Sequence, residues 1–259
     1  LFALVMVSVM FAYEGWQNIT TVAGEIREPQ RNIPRALFAG LALVTLLYVA
    51  ANLAFHGVLS MEEVASSKGG VAQDVTTRLL GPAAGGVIVL VILFSTIGSL
   101  NGVVLANPRV LFAMGKDYPL IGRMARIHPR YGTPSTALLT LFAVSVIYLV
   151  AAGLFVVLKP EKELFGILSK YMVFATSIFY FLSVLASIVL RFRRPDAERP
   201  FRMPLFPLAP VLFLALYGWF LSRIGFEQPG EAGIGLLVLF AGLAVYFLVF
   251  SRGGREGPD

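Results

Sequence analysis

Seven apolar runs, each about 20 residues long, alternate with short polar segments along the chain. They cover residues 1–23, 34–59, 82–106, 134–153, 164–190, 204–221 and 233–250. Each has the length of a helix crossing a bilayer, and the shorter, strictly alternating strands of a membrane β-barrel are absent. The pattern predicts an all-α integral membrane protein with seven transmembrane helices. Pro34, Pro82, Pro134 and Pro204 stand at the starts of four runs, where a missing N–H costs nothing. The segments between runs read as loops, the longest being residues 60–81 and 109–133. Residues 252–259 read as a short cytoplasmic tail.

Two runs carry polar residues that a lipid-facing helix would not need. In the first, Tyr13-Glu14-Gly15-Trp16-Gln17-Asn18 interrupts the apolar stretch. A charged side chain at the bilayer centre costs roughly 2.5–3.5 kcal/mol on insertion scales, and Gly15 weakens a helix by about 1 kcal/mol relative to Ala. Together they predict a discontinuous helix, whose freed backbone groups need a polar cavity or a ligand. The alternative is that the span ends at Ala12 and Glu14 stands in headgroup water. In the third run, Ser95, Thr96, Gly98, Ser99, Asn101 and Gly102 form a second polar set. Gly98 and Gly102, four apart, suit close helix approach, and the hydroxyls suit either backbone bonding or contact with a ligand. Asn107-Pro108-Arg109 marks a kink or a helix end. His56 reads as a packed or interfacial histidine, and Tyr171, Phe174, Phe179, Tyr180 and Phe181 as lipid-facing or packing residues.

Charge decides the orientation. Of the 21 Lys and Arg residues, fifteen fall on one set of alternating connections and six on the other. By the positive-inside rule the chain starts outside and ends in the cytoplasm, as a multi-pass protein of the cell membrane. The arginine run at residues 191–194 reads as a topology anchor able to touch anionic lipid. Charged residues are only 14% of the chain, against about 25% in a soluble domain, so the formal net charge of +6 belongs to membrane topology and not to nucleic-acid binding. With no cysteine and two histidines, a thiolate or multi-histidine metal site is not expected. No metalloprotease, hydrolase or nucleotide-loop motif occurs, so neither an enzyme nor a cofactor is expected. The chain opens on Leu1, inside an apolar run, and reads as beginning mid-protein.

The motifs then carry a resemblance. Phe11-Ala12-Tyr13-Glu14-Gly15-Trp16-Gln17-Asn18 and Glu25-Ile26-Arg27-Glu28-Pro29-Gln30-Arg31-Asn32-Ile33-Pro34 resemble the sixth helix and following loop of the amino acid–polyamine–organocation (APC) superfamily. The likeness is greatest to its L-amino-acid transporter branch, which includes bacterial serine/threonine exchangers. Asn107-Pro108-Arg109-Val110 and Ala113-Met114-Gly115-Lys116-Asp117 are similar to the eighth helix, and His128-Pro129-Arg130-Tyr131-Gly132-Thr133-Pro134 to a later loop. The resemblance implies a LeuT-like fold of two inverted repeats. Residues 1–203 would be the second repeat of five helices, the first one discontinuous, and residues 204–251 two additional C-terminal helices.

It also implies secondary-active amino-acid transport by alternating access, with exchange of substrates. Phe11, Ala12, Tyr13, Glu14 and Gly15 would bind the amino-acid substrate. Trp16, Ser95, Thr96 and Ser99 would serve gating or ion contact, and a proton or a second amino acid would be the coupling species. Membrane lipid is the other expected partner. Two readings compete with transport. A seven-helix receptor shares the topology, but no Asp-Arg-Tyr follows the third span and no Asn-Pro-x-x-Tyr lies in the seventh. A non-transporting membrane scaffold subunit is the other.

Overall fold

Pro29 and Pro82 each occupy the first turn of a long helix, where the backbone N–H would have no intrahelical partner. The computed structural model describes residues 2–67, 69–158, 164–227 and 229–250, and among these the secondary structure is helical, with no strand. The expected tail at 252–259 lies outside the described residues, as do Leu1, Lys68, Lys159 and Lys162 of the sequence reading.

The helices are α1 (Phe2–Ala12), α2 (Asn18–Thr21), α3 (Pro29–Val58), α4 (Met61–Ser66), α5 (Val71–Leu80), α6 (Pro82–Asp117), α7 (Ser135–Leu158), α8 (Leu164–Arg193), α9 (Leu208–Glu227) and α10 (Pro229–Val245). A 3₁₀ turn spans Ala23–Glu25, a second 3₁₀ segment spans Pro119–Ala125, and a π-turn spans Tyr246–Phe250. Among the described residues, five helices are long and apolar enough to cross a membrane: α3, α6, α7, α8 from Leu168 onward, and α9. Of the other two predicted spans, α1 has 11 residues and α10 has 17.

Several expected boundaries move. Pro34 lies inside α3, which opens at Pro29 instead. The missing N–H of Pro34 leaves one bond unmade, to the carbonyl of exposed Gln30, which water can satisfy. Pro108 likewise lies inside α6, which runs on to Asp117. α9 starts at Leu208, four residues after Pro204. The expected loop at 60–81 is mostly helix. Ser60 caps α4, accepting from the Glu63 N–H at 3.3 Å while its own N–H donates to Glu63 Oε2 at 2.7 Å. Arg78 of α5 then pairs with Glu63 at 2.7 Å.

The chain forms two compact units, Leu1–Gln17 with Val110–Asp259, and Asn18–Arg109. In the first, α1, α8, α9 and α10 pack around Val7, Val173, Phe174, Phe220, Ile224 and Ala232. Lipid is as apolar as these side chains, so van der Waals fit holds them together. The fit is tight at Gly235, where a methyl group would come within 2.8 Å of the Phe174 ring. The 3₁₀ segment packs beside α7 and the end of α6. There a methyl on Gly115 would lie 2.7 Å from the Ala125 nitrogen.

In the second unit, α5 packs beside α3, and Gly85 of α6 leaves room for the Thr77 hydroxyl. Arg109 pairs with Glu25 through two contacts, Nε to Oε1 at 2.9 Å and Nη2 to Oε2 at 3.1 Å. A methyl on Gly98 or Gly102 would meet no atom of a described residue within 4 Å. His56 is exposed in the last turn of α3.

Candidate functional site

α1 ends where its apolar run ends. Tyr13 N donates to Val9 O at 3.2 Å, and Glu14 N closes a tighter turn onto Phe11 O at 3.1 Å. Gly15 then takes φ 107°, a region that side chains with a Cβ avoid. Residues 13–17 are turn, not helix. The turn is tied by side chains: Gly15 N donates to Gln17 Oε1 at 3.2 Å, and Gln17 Nε2 donates to Glu14 Oε1 at 3.0 Å.

The same carboxylate oxygen accepts from the Tyr180 hydroxyl of α8 at 2.5 Å, the short range of a bond between a hydroxyl and an ionised acceptor. Glu14 Oε2 accepts no hydrogen bond from a described residue. Behind the carboxylate lies an aromatic series. Trp16 and Tyr180 have ring centroids 5.5 Å apart, Tyr180 and Tyr217 meet edge-on at 6.3 Å, and Tyr217 stacks on Phe213 at 4.1 Å. One carboxylate oxygen is thereby fixed by two donors, the second of them part of the aromatic series.

The candidate residues divide between the two units. Phe11, Ala12, Tyr13, Glu14, Gly15 and Trp16 lie together in the first unit. Phe11 is half-buried against the α1–α8–α9–α10 core, Ala12 is exposed, and Tyr13, Glu14 and Gly15 are half-buried. Trp16 is 40% exposed. Ser95, Thr96 and Ser99 lie in the second unit on α6, all exposed. Ser95 and Ser99 are one turn apart on one face, and Thr96 bonds back to Ile92 O at 2.8 Å.

Tyr180 is the residue missing from the candidates drawn from the sequence, where it was read as lipid-facing or packing. A tyrosine deep in an apolar run needs a partner for its hydroxyl, and that requirement was the available signal. Tyr217 joins the same wall from α9.

The family model for amino acid permeases matches residues 1–250. The chain is 31% identical over 248 residues to the serine/threonine exchanger of Bacillus subtilis, covering 95% of this chain and 54% of that protein. It is 32% identical over 248 residues to large neutral amino acids transporter small subunit 2 of Homo sapiens, covering 96% of this chain and 44% of that protein. A third relative, b(0,+)-type amino acid transporter 1 of Mus musculus, is 31% identical over 239 residues, covering 92% and 46%. The chain thus spans about half the length of the curated relatives it matches. With a family match over nearly its whole length, an all-helical fold and apolar helices able to cross a bilayer, the chain belongs to the amino acid permease family.

Proposed function

We propose that the protein carrying this chain transports amino acids across the cell membrane by alternating access, exchanging one amino acid for another. The observation that carries this reading is the helix break at residues 13–17, with one carboxylate oxygen of Glu14 held by two donors. An α-amino acid brings an ammonium group. Glu14 Oε2 can accept from it, beside the turn that ends α1. Phe11, Ala12, Tyr13 and Gly15 shape the substrate site, and Trp16 gates it. Ser95, Thr96 and Ser99 offer hydroxyl oxygens for an ion contact within their own unit. A substrate bound more tightly in one of two states shifts the balance between them, and this differential contact drives alternation. A proton or a second amino acid is the coupling species.

In this reading residues 1–203 form the second inverted repeat, 204–251 the two additional C-terminal helices and 252–259 a cytoplasmic tail, with the chain starting outside. The named relatives, an exchanger and two amino acid transporters, support the substrate class.

Counterflow in proteoliposomes tests it. Labelled serine, leucine, arginine and glutamate are offered outside, with unlabelled amino acids inside. Uptake that requires internal amino acid is expected. Uptake driven only by a proton or sodium gradient keeps the transport but ends the exchange. Glu14→Gln is expected to lower uptake of leucine and arginine alike, since both present the α-ammonium group, and unchanged uptake removes the carboxylate from substrate binding.

A further inference from the structure

The segment joining α8 to α9 is built around one arginine. Arg199 folds back on its own loop, donating through Nη1 to Pro195 O at 2.8 Å and Ala197 O at 2.9 Å, and through Nη2 to Arg194 O at 2.6 Å. Three main-chain acceptors on one guanidinium hold the loop open as a cleft of about 690 Å³. Arg191, Arg199 and Arg202 line it together with Asp196 and Glu198. Arg191 is positioned by the Phe206 ring, 3.9 Å below its guanidinium carbon.

Arginine at the end of a helix has ordinary uses, as a topology anchor and as a complement to the helix dipole. Neither needs a cleft. Neither explains why the carboxylates of Asp196 and Glu198, in the same lining, make no ion pair with the three arginines. The arginine donors not used by the loop therefore point to an acceptor from outside the chain. At this end of α8, Phe192 is 74% exposed, and Leu205, at the other end of the loop, is 73% exposed. Apolar side chains beside a charged cleft at the end of a membrane helix suit a ligand with an anionic head and an apolar body.

We propose that this cleft binds the headgroup of an anionic glycerophospholipid, with Arg191 and Arg202 on the phosphodiester and Asp196 and Glu198 accepting from headgroup hydroxyls. Three arginines against two carboxylates suit a singly charged phosphodiester. Free inorganic phosphate has no apolar body and would leave Phe192 and Leu205 unused. This inference does not rest on amino-acid transport.

The test is native mass spectrometry of the protein released from nanodiscs of equal phosphatidylcholine and phosphatidylglycerol. Preferential retention of phosphatidylglycerol is expected. Arg191→Gln combined with Arg202→Gln should lower that preference by on the order of tenfold, with the helical circular dichroism and melting profile unchanged. Arg126→Gln, which removes a charge from the segment between α6 and α7, should leave the preference intact. Added inorganic phosphate should not displace the lipid. Asp196→Asn with Glu198→Gln leaves the arginines and the fold of the loop in place, and should weaken phosphatidylglycerol relative to phosphatidic acid. Equal loss with Arg126→Gln, no loss with the double arginine variant, or displacement by inorganic phosphate each overturns the proposal.

Discussion

At 2.5 Å, the Tyr180 hydroxyl and Glu14 carboxylate are joined across 166 residues of sequence. A hydrogen bond to a charged group contributes roughly 1.5–3 kcal/mol. Tyr180→Phe removes that donor and keeps the ring that packs on Trp16. The expected outcome is a loss of roughly 1.5–3 kcal/mol of stability, read as a lower melting temperature, together with a higher substrate concentration for half-maximal uptake. An unchanged half-maximal concentration would separate the pair from transport. Glu14 and Gly15 stand out in the sequence because a charge and a glycine inside an apolar run are costly without a purpose. Tyr180 does not, since a tyrosine in an apolar helix serves a lipid interface as readily as a buried partner, and only the fold brings it to Glu14.

Among the elements, α4 has the clearest local cause. Ser60-Met61-Glu62-Glu63 is a capping-box sequence, and both reciprocal bonds form. The Ser60 backbone N–H, helped by the Arg78 guanidinium, holds the Glu63 carboxyl below its ordinary value of 4.5. A carboxyl depressed in the folded state adds stability above its unfolded value, and that stability is lost as pH falls through the lower folded value. Amide exchange in α4 should therefore be pH-independent in its protection from neutrality down to about pH 4.5 and rise relative to α3 in more acidic buffer. Ser60→Ala should cost about 1 kcal/mol of local stability, whereas Glu63→Gln, which keeps an acceptor but cannot titrate, should remove this acid dependence. Gly115→Ala tests a different contact. Its added methyl meets the Ala125 nitrogen at 2.7 Å and the Ile121 oxygen at 3.0 Å, both main-chain atoms that cannot swing aside. A loss of roughly 1–3 kcal/mol is expected, read as a lower melting temperature.

The long helices were legible because apolar runs of spanning length have few other uses. Their ends were less so. Proline permits a helix start without requiring one, and at Pro34 and Pro108 the helix continues through. α4 and α5 were folded into one loop because their polar surfaces hide them from hydropathy, although the capping box at Ser60 was there to be read.

On the scale of the molecule, the order of apolar runs and the bias of Lys and Arg define a topology that labelling can test. The chain has no cysteine, so a single introduced thiol reports its own position. A cysteine at Ser67 should react with a membrane-impermeant maleimide in intact cells, and one at Ala197 only after permeabilisation. The opposite result reverses the orientation while leaving the helices in place. Of the seven runs, five are, among the described residues, helices long enough to span on their own. The first run was marked by its polar interruption, and the structure places turn there in residues 13–17.

The length of α8 carries a consequence for the surrounding bilayer. Its 30 residues, at 1.5 Å each, make a rod of about 45 Å, while the hydrocarbon slab is only about 30 Å thick. No upright placement hides it. The rod must lean, or its Arg191–Arg193 end must stand clear of the acyl chains, and each choice is tuned by how thick the slab is. Lipids with longer or shorter acyl chains thus act on this protein as a mechanical setting, altering the lean of α8 without changing any residue.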